Sequence, residues 1–519
     1  MITTLAHNSA TNLALTVVKI AIAFVMAPVV VRALGNHDYG VWEILGAIIG
    51  YMGILDIGIQ PSIVRYVARY KALSLDDQLR KTYASALLFM GLLGFLVFSI
   101  LITWAFVAPD ILSDGNSHLS KYSLFLIILA GQMVVTFPGY VFDSFHAGYQ
   151  RYSLKNAINI VSSLVGCTII YVLLLRGGGL LTFALGNAII TWINSSTYWL
   201  LLRHPRYGGF RLRKQFICWR TLKELLGFGS QIMALGVAER ITATMDTMLI
   251  GLFLGPIMVT FYVIPANLLK YAHGFISSVT LGFMPMFSEL DARGDKAVAT
   301  EMFLTASRYV LGFALLFLTG ILFMGAPFIS VWMGPEYAQS GTLILAILTF
   351  AYLIKLSIPF AGRFLTGIGH QSVLVRYGWQ GAVIGLIALL VLINPLGIQG
   401  VALAALISAL VIQPFVLREV CKHLGITMYK YLSNSVFPLA IPVSLLAVFL
   451  FGLTRLFQVI SYGTILAIAF TGLVIYVASY VIFATRQSER QIFLCNVKHA
   501  AVLTGVYNWL SPYVISDKR

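Results

Sequence analysis

Apolar runs about 20 residues long, enough to cross a hydrocarbon core of about 30 Å as a helix, recur along almost the whole of this chain. Nothing else in the sequence limits the fold so tightly. Inside a bilayer every backbone N–H and C=O needs a partner within the protein, so only helices and closed barrels span it. The runs are continuous or helically periodic and lack the alternating ~10-residue segments of a barrel. The expected class is therefore an all-α integral membrane protein. Charged residues are 10% of the chain, where soluble domains carry about 25%, and no polar stretch is long enough for a soluble domain.

About fourteen transmembrane helices are expected. Six fall near residues 10–32, 40–64, 83–107, 122–147, 153–175 and 180–202. Six more fall near 226–252, 258–284, 304–326, 341–366, 373–393 and 397–420, and two near 432–454 and 462–485. The basic connection Arg203 to Lys223 is expected to lie on the membrane surface. The expected domains are a first lobe over 1–203, a basic linker over 204–225, a second lobe over 226–424, two further helices over 425–487 and a tail over 488–519.

The net charge is +16, and its placement carries the information. With the first span starting inside, about two dozen Lys and Arg fall on alternate connections and about four on the other side, the bias that marks the cytoplasmic face. Both termini are expected there. The cations are divided among short juxtamembrane loops, which argues against a nucleic-acid-binding patch. The four cysteines, Cys167, Cys218, Cys421 and Cys495, fit no zinc spacing.

The two sets of six read as copies. Leu34-Gly35 matches Leu254-Gly255, each followed by an aromatic residue (Trp42 and Tyr262). Pro138 and Gly148-Tyr149-Gln150 match Pro359 and Gly369-His370-Gln371, and Gly179 matches Gly400. An even number of spans per copy gives both the same orientation, with an axis along the membrane normal and the substrate site between them. The run Gly177-Gly178-Gly179 falls in an outer turn and asks only for flexibility.

The stretch from Arg32 to Lys71 reads as a membrane hairpin. It turns at Leu34-Gly35-Asn36, carries Asp56 deep in the returning helix, and leaves through Arg65, Tyr66, Arg69, Tyr70 and Lys71. Glycines at 46, 50, 53 and 58 would let neighbouring backbones approach closely. The stretch resembles the N-terminal hairpin of prokaryotic polysaccharide (lipid-linked oligosaccharide, O-antigen repeat unit) flippases. In that family a leucine-glycine turn (Leu34-Gly35), an aromatic-glycine pair (Tyr39-Gly40), a leucine-aspartate-x-glycine run (Leu55-Asp56-Ile57-Gly58) and a basic exit recur in this order.

Over its whole length the chain resembles the multidrug, oligosaccharidyl-lipid and polysaccharide exporter superfamily. The resemblance implies two pseudo-symmetric six-helix lobes around a central cavity that opens to either side in turn, plus two C-terminal helices. It implies an undecaprenyl-diphosphate-linked oligosaccharide as cargo, for O-antigen, capsule or exopolysaccharide, moved across a bacterial cytoplasmic membrane. Lipid-linked oligosaccharide and membrane lipids are the implied partners, with a polysaccharide polymerase and export proteins as candidate protein partners. No cofactor, metal or nucleic acid is expected.

Ionisable residues near the middle of a span are costly and mark a pathway by default. Lys19 ends a polar stripe of Asn8, Asn12 and Thr16 on the first span. The seventh span carries Glu239, Arg240, Thr242 and Asp246, the eighth Asn267, Lys270, His273 and Ser277, and the tenth Tyr352, Lys355, Pro359 and Arg363. Lys19, Arg240, Lys270, Lys355 and Arg363 are the candidate substrate-binding cations. Asp56, Glu239 and Asp246 are candidate coupling or structural acids. The competing reading pairs these groups with one another, Glu239 with Lys270 or Asp56 with Lys19, and locks helices together without a substrate. His273 reads as a hydrogen-bonded packing residue. Pro138 and Pro359, related by the repeat, are the leading candidates for hinges.

No Walker lysine motif, Gly-x-Ser-x-Gly or histidine pair at metal spacing is present, so no catalytic residue is assigned. A transporter of lipid-linked oligosaccharide is the leading reading. A cation or drug antiporter of the same superfamily is the near alternative, and would favour a predominantly acidic cavity. A membrane polysaccharide polymerase or glycosyltransferase is the alternative from another class. The longest outer loop, Pro109 to Ser120, offers it only Asp110 and Asp114.

Overall fold

The computed structural model describes residues 2–53, 58–107, 121–280, 283–456 and 461–485, and among these there is helix and no strand. Asp56, the connection 109–120 and the tail from residue 486, with Cys495, lie outside the described residues.

The first helices are α1 (Ile2–Met52), α2 (Ile59–Ala72), α3 (Asp76–Val107), α4 (Lys121–Gly148), α5 (Tyr152–Leu175) and α6 (Leu180–Arg203). Two short 3-10 turns then lead to α7 (Trp219–Leu254) and α8 (Pro256–Thr280). There follow α9 (Phe283–Arg293), α10 (Lys296–Trp332), α11 (Pro335–Leu356), α12 (Ala361–Gly367) and α13 (Gln371–Leu424). A single turn, α14 (Met428–Tyr431), precedes α15 (Ala440–Leu456) and α16 (Tyr462–Ser479). Nine spans among the described residues are long and apolar enough to cross a membrane. Two of them are bent by non-helical backbone, α1 at Gly35 and α13 at Gly397. Divided at those bends the spans give eleven segments, and α6, α7 and α8, which lie at expected positions, bring the described helices to the expected pattern of about fourteen passes.

The turns repeat as the residues do. Gly35 has φ 77 and ψ 167, and Gly255 has φ 85 and ψ 168. Both lie in a region closed to side-chain-bearing residues except at a cost. Three further positive-φ pairs follow nearly the same offset: Ser74 with Gly294, Gln150 with Gly369, and Gly177 with Gly397. One detail differs from the sequence reading: Gly177 adopts a defined positive-φ turn rather than serving general flexibility, and its counterpart Gly397 lies just before Gly400, the residue matched to Gly179.

The chain divides into two compact units, residues 1–263 with 393–398, and residues 264–392 with 399–519. In the first unit, α3, α4 and α6 pack around Tyr83, Phe142, Phe145 and Phe210. Phe210 is buried from the basic connection, and so anchors a segment whose Arg211, Arg213 and Lys214 are exposed. The repeat assigns α7 to the second six, but α7 packs on α1, α2 and α3 within the first unit.

Of the hairpin glycines, Gly58 makes the expected backbone approach: a Cβ there would lie 2.2 Å from the Gly229 carbonyl oxygen. Gly46 meets nothing within 4 Å, and Gly50 faces an arginine rather than a backbone. Gly40 was not in the series, yet a Cβ on it would lie 1.9 Å from the Pro256 carbonyl oxygen.

In the second unit, Phe287, Phe303, Phe360, Phe364 and Tyr431 form an aromatic core. The last two helices pack on α10, where the Tyr476 hydroxyl donates to the Gly312 carbonyl at 2.7 Å. The two repeat-related prolines behave differently. Pro138 stays inside a continuous α4, while Pro359 falls in the break between α11 and α12. The Tyr431 hydroxyl donates to the Ser357 carbonyl at 2.7 Å and so satisfies a group that the break leaves without a helical partner.

Candidate functional site

The expected site residues fall into a group in each unit. In the first unit, Arg240 lies on α7 and its Nε donates to the Gly50 carbonyl at 2.8 Å. Gly50 is in the last turn of α1, where carbonyls lack intrahelical donors and the helix end is partially negative. Arg240 therefore caps α1. A Cβ on Gly50 would lie 2.8 Å from Nη2, so the glycine makes room for the guanidinium. The bond uses one of five N–H donors, and the residue is otherwise exposed.

Two turns along α7, Asp246 accepts a hydrogen bond from the Tyr262 hydroxyl at 2.7 Å. Tyr51 lies beside Thr244 and in the field of both Asp246 and Arg240. The sequence reading missed Tyr51 and used Tyr262 only as a repeat marker, because a tyrosine in an apolar helix gives no periodic signal of its partner. Thr242 and Thr244 hydroxyls return to the carbonyls four residues back and are thereby partly spent. Glu239 is in α7, but its side chain lies outside the described residues, as does the whole of Asp56.

The polar stripe on α1 is divided in use. Asn12 Oδ1 accepts from Asn156 Nδ2 of α5 at 2.7 Å, and Thr11 Oγ1 from the same amide at 3.1 Å. Thr16 bonds back to the Asn12 carbonyl at 3.0 Å. Asn12 is thus a helix-packing residue. Lys19 is exposed and makes no ion pair with a described side chain.

In the second unit, α8 supplies Lys270 and, one turn later, His273. The His273 and Tyr352 rings meet edge to face with centroids 5.6 Å apart. Lys355 Nζ lies 5.6 Å from the Tyr352 ring centroid. Arg363 is half-buried on α12, beyond the Pro359 break. The Lys355 and Arg363 charges both act on the His273 ring, and no described carboxylate does. His273, expected as a hydrogen-bonded packing residue, meets the Tyr352 ring and lies in the field of Lys355 and Arg363. The one-turn spacing of Lys270 and His273 was visible in the sequence, whereas the pairing of His273 with Tyr352 needed the fold.

An ammonium beside an aromatic ring and a nearby guanidinium suit a phosphate, which accepts charge-assisted hydrogen bonds from both. Cations away from bulk water persist beside an anion or a water-filled path. Among the described residues no group of three or more His, Cys, Asp or Glu could hold a metal.

The family model described as "Polysaccharide biosynthesis protein" matches residues 5–291. A protein of Shigella flexneri named "Putative O-antigen transporter" is 22% identical over 382 residues, 71% of this chain and 88% of that protein. The solved structure of the lipid II flippase MurJ in an inward closed conformation aligns with a TM-score of 0.66 at 12% identity, covering 90% of this chain and 98% of that one. An inward-facing multidrug resistance transporter of the MATE family aligns with a TM-score of 0.61 at 14% identity, covering 80% and 95%. At these identities the two structures establish a shared fold.

Proposed function

The chain belongs to the polysaccharide biosynthesis protein family, and from that premise we propose that it is a multi-pass membrane transporter of a lipid-linked oligosaccharide. It moves the undecaprenyl-diphosphate-linked unit from the cytoplasmic to the outer leaflet by alternating access, for O-antigen, capsule or exopolysaccharide assembly. The O-antigen transporter relative and the MurJ-like fold support this reading. The observation that carries it is the cluster of Lys355 and Arg363 around His273 and Tyr352.

In this proposal Lys355 and Arg363 hold the diphosphate, with Lys270 one turn from His273 as a third cation. Lys19 and Arg240 are the further cations that contact the cargo. Tyr352 offers an aromatic face to a sugar ring, and the polyprenyl tail stays in lipid. A cationic drug would need free acids instead, and Asp246 is already engaged by Tyr262.

The test is depletion of the protein in its own host. Lipid-linked oligosaccharide should accumulate facing the cytoplasm while surface glycan falls. If depletion instead stops synthesis of the lipid-linked oligosaccharide, or leaves it unchanged and abolishes only its polymerisation outside, the chain acts as an enzyme and the transport reading fails.

A further inference from the structure

The two halves of α13 enclose a groove that the cation cluster does not use. Partway along, the halves are pinned together. Ser408 Oγ donates to the Gly381 carbonyl at 2.9 Å, and a Cβ on Gly381 or Gly385 would lie within 4 Å of Ser408. Small residues permit that approach. One turn before Gly381, Tyr377 stands with its ring 6.2 Å from that of Phe415 and 14° from parallel. Rings of this size hold the backbones apart, and a groove of about 800 Å³ opens between them.

Its walls are apolar, with Trp379, Val383 and Phe415 between 39% and 50% exposed. Its mouth is charged. Arg376 Nη2 donates to the Tyr377 hydroxyl at 3.0 Å and lies 3.4 Å from Glu419 Oε1. Arg418 and Lys422 are exposed at the same end of α13.

We propose that this groove binds an anionic phospholipid of the leaflet that faces the basic end of α13. One acyl chain lies along Val383, Val411 and Ile412, and the phosphate sits at Arg376. Charge complementarity selects this occupant. Arg376, Arg418 and Lys422 outnumber Glu419 and favour an anionic over a zwitterionic headgroup. A single guanidinium already bonded to a hydroxyl suits one phosphodiester rather than a diphosphate bearing sugars. Glu419 holds the guanidinium at the rim, and Trp379 has the amphipathic body that favours the headgroup level. The site does not depend on the transport reading, since it is built from α13 alone.

The experiment uses the purified full-length chain in mixed micelles with phosphatidylglycerol or phosphatidylcholine carrying a photoreactive acyl tail. Labelling should map to 376–384 and 411–419 and favour phosphatidylglycerol. Arg376→Gln should cut phosphatidylglycerol labelling about tenfold, the cost of one charge-assisted hydrogen bond, and leave phosphatidylcholine labelling unchanged. Arg376→Lys keeps the charge and should retain the headgroup preference, and Val383→Trp should block both lipids by filling the groove. Thermal unfolding of each variant separates loss of binding from loss of fold. Labelling elsewhere, or equal labelling by both lipids in the unaltered protein, overturns the proposal. So does labelling that undecaprenyl diphosphate displaces and phosphatidylglycerol does not.

Discussion

Lys270 carries the sharpest choice between substrate contact and helix locking. It is exposed on α8, one turn from His273, and forms no ion pair with a described side chain. If it contacts the diphosphate, Lys270→Gln removes a charge-assisted bond worth about 1.5–3 kcal/mol. Cargo affinity should then fall roughly ten- to a hundredfold, with abundance and thermal stability unchanged. If Lys270 instead neutralises Glu239, the single variant should lose abundance, and Glu239→Gln should restore it. Glycan export and membrane abundance of Lys270→Gln, Glu239→Gln and the double variant decide between the two. At this scale the sequence located the costly groups, because a charge in an apolar run stands out. It did not show what each one touches. Arg240 caps α1 at Gly50 and Asn12 is tied to Asn156, and both contacts join residues more than a hundred positions apart.

The helices are governed by their breaks. Gly35 bends α1 with φ 77 and ψ 167 and has nothing within 4 Å of a built Cβ, so its constraint is backbone conformation rather than space. Gly35→Ala should destabilise the protein by about 1–3 kcal/mol. Gly46→Ala lies in the same helix with open space around it and should be neutral or stabilising by up to about 1 kcal/mol. Thermal unfolding in one detergent compares them, and equal effects would show that the bend does not need its glycine. Spans such as 122–147, 153–175 and 180–202 were legible within a residue or so of α4, α5 and α6, because the apolar run and the helix end together at polar turns. By contrast, α3, α7 and α10 extend six to eight residues beyond their apolar runs. For the returning half of the first hairpin, read as one span over 40–64, the described helices are α1 to Met52 and α2 from Ile59, and residues 54–57 lie outside the described residues. The close fit of Gly58 against Gly229 is a tertiary demand that hydropathy does not record.

For the whole molecule, the internal repeat was legible in matched residues and is stronger in matched backbone. Positive-φ turns at 35, 74, 150 and 177 recur at 255, 294, 369 and 397. A shared offset in turn geometry means equal helix lengths between turns, which the two copies require. The grouping of α7 with α1, α2 and α3 was not legible, because hydropathy and periodicity do not record which neighbours a helix packs against.

Orientation can be tested with one native reporter. Cys218 stands before α7, outside the spans, and the nearby Thr221 backbone N–H and hydroxyl, which favour a thiolate, bring its thiol below the usual range. Its thiolate should therefore persist to lower pH than that of an ordinary cysteine, and alkylation should stay fast as pH falls. With Cys218 and a Ser74→Cys variant inside, neither should react with an impermeant thiol reagent in intact cells. Arg176→Cys should react. It is a better outer probe than Gly178, where a Cβ would lie 2.7 Å from the Leu173 carbonyl oxygen. The reverse pattern would invert the topology.

The central claim is that cations of the second unit hold the diphosphate of a transported lipid. The most direct measurement is equilibrium binding of undecaprenyl diphosphate to the purified chain, with Lys355→Gln and Arg363→Gln compared against the unaltered protein. The account predicts that each substitution weakens binding by about tenfold or more, with the unfolding midpoint unchanged and little effect on binding of undecaprenol, which lacks the phosphates. Undiminished diphosphate binding in both variants, or an equal loss for undecaprenol, would contradict it.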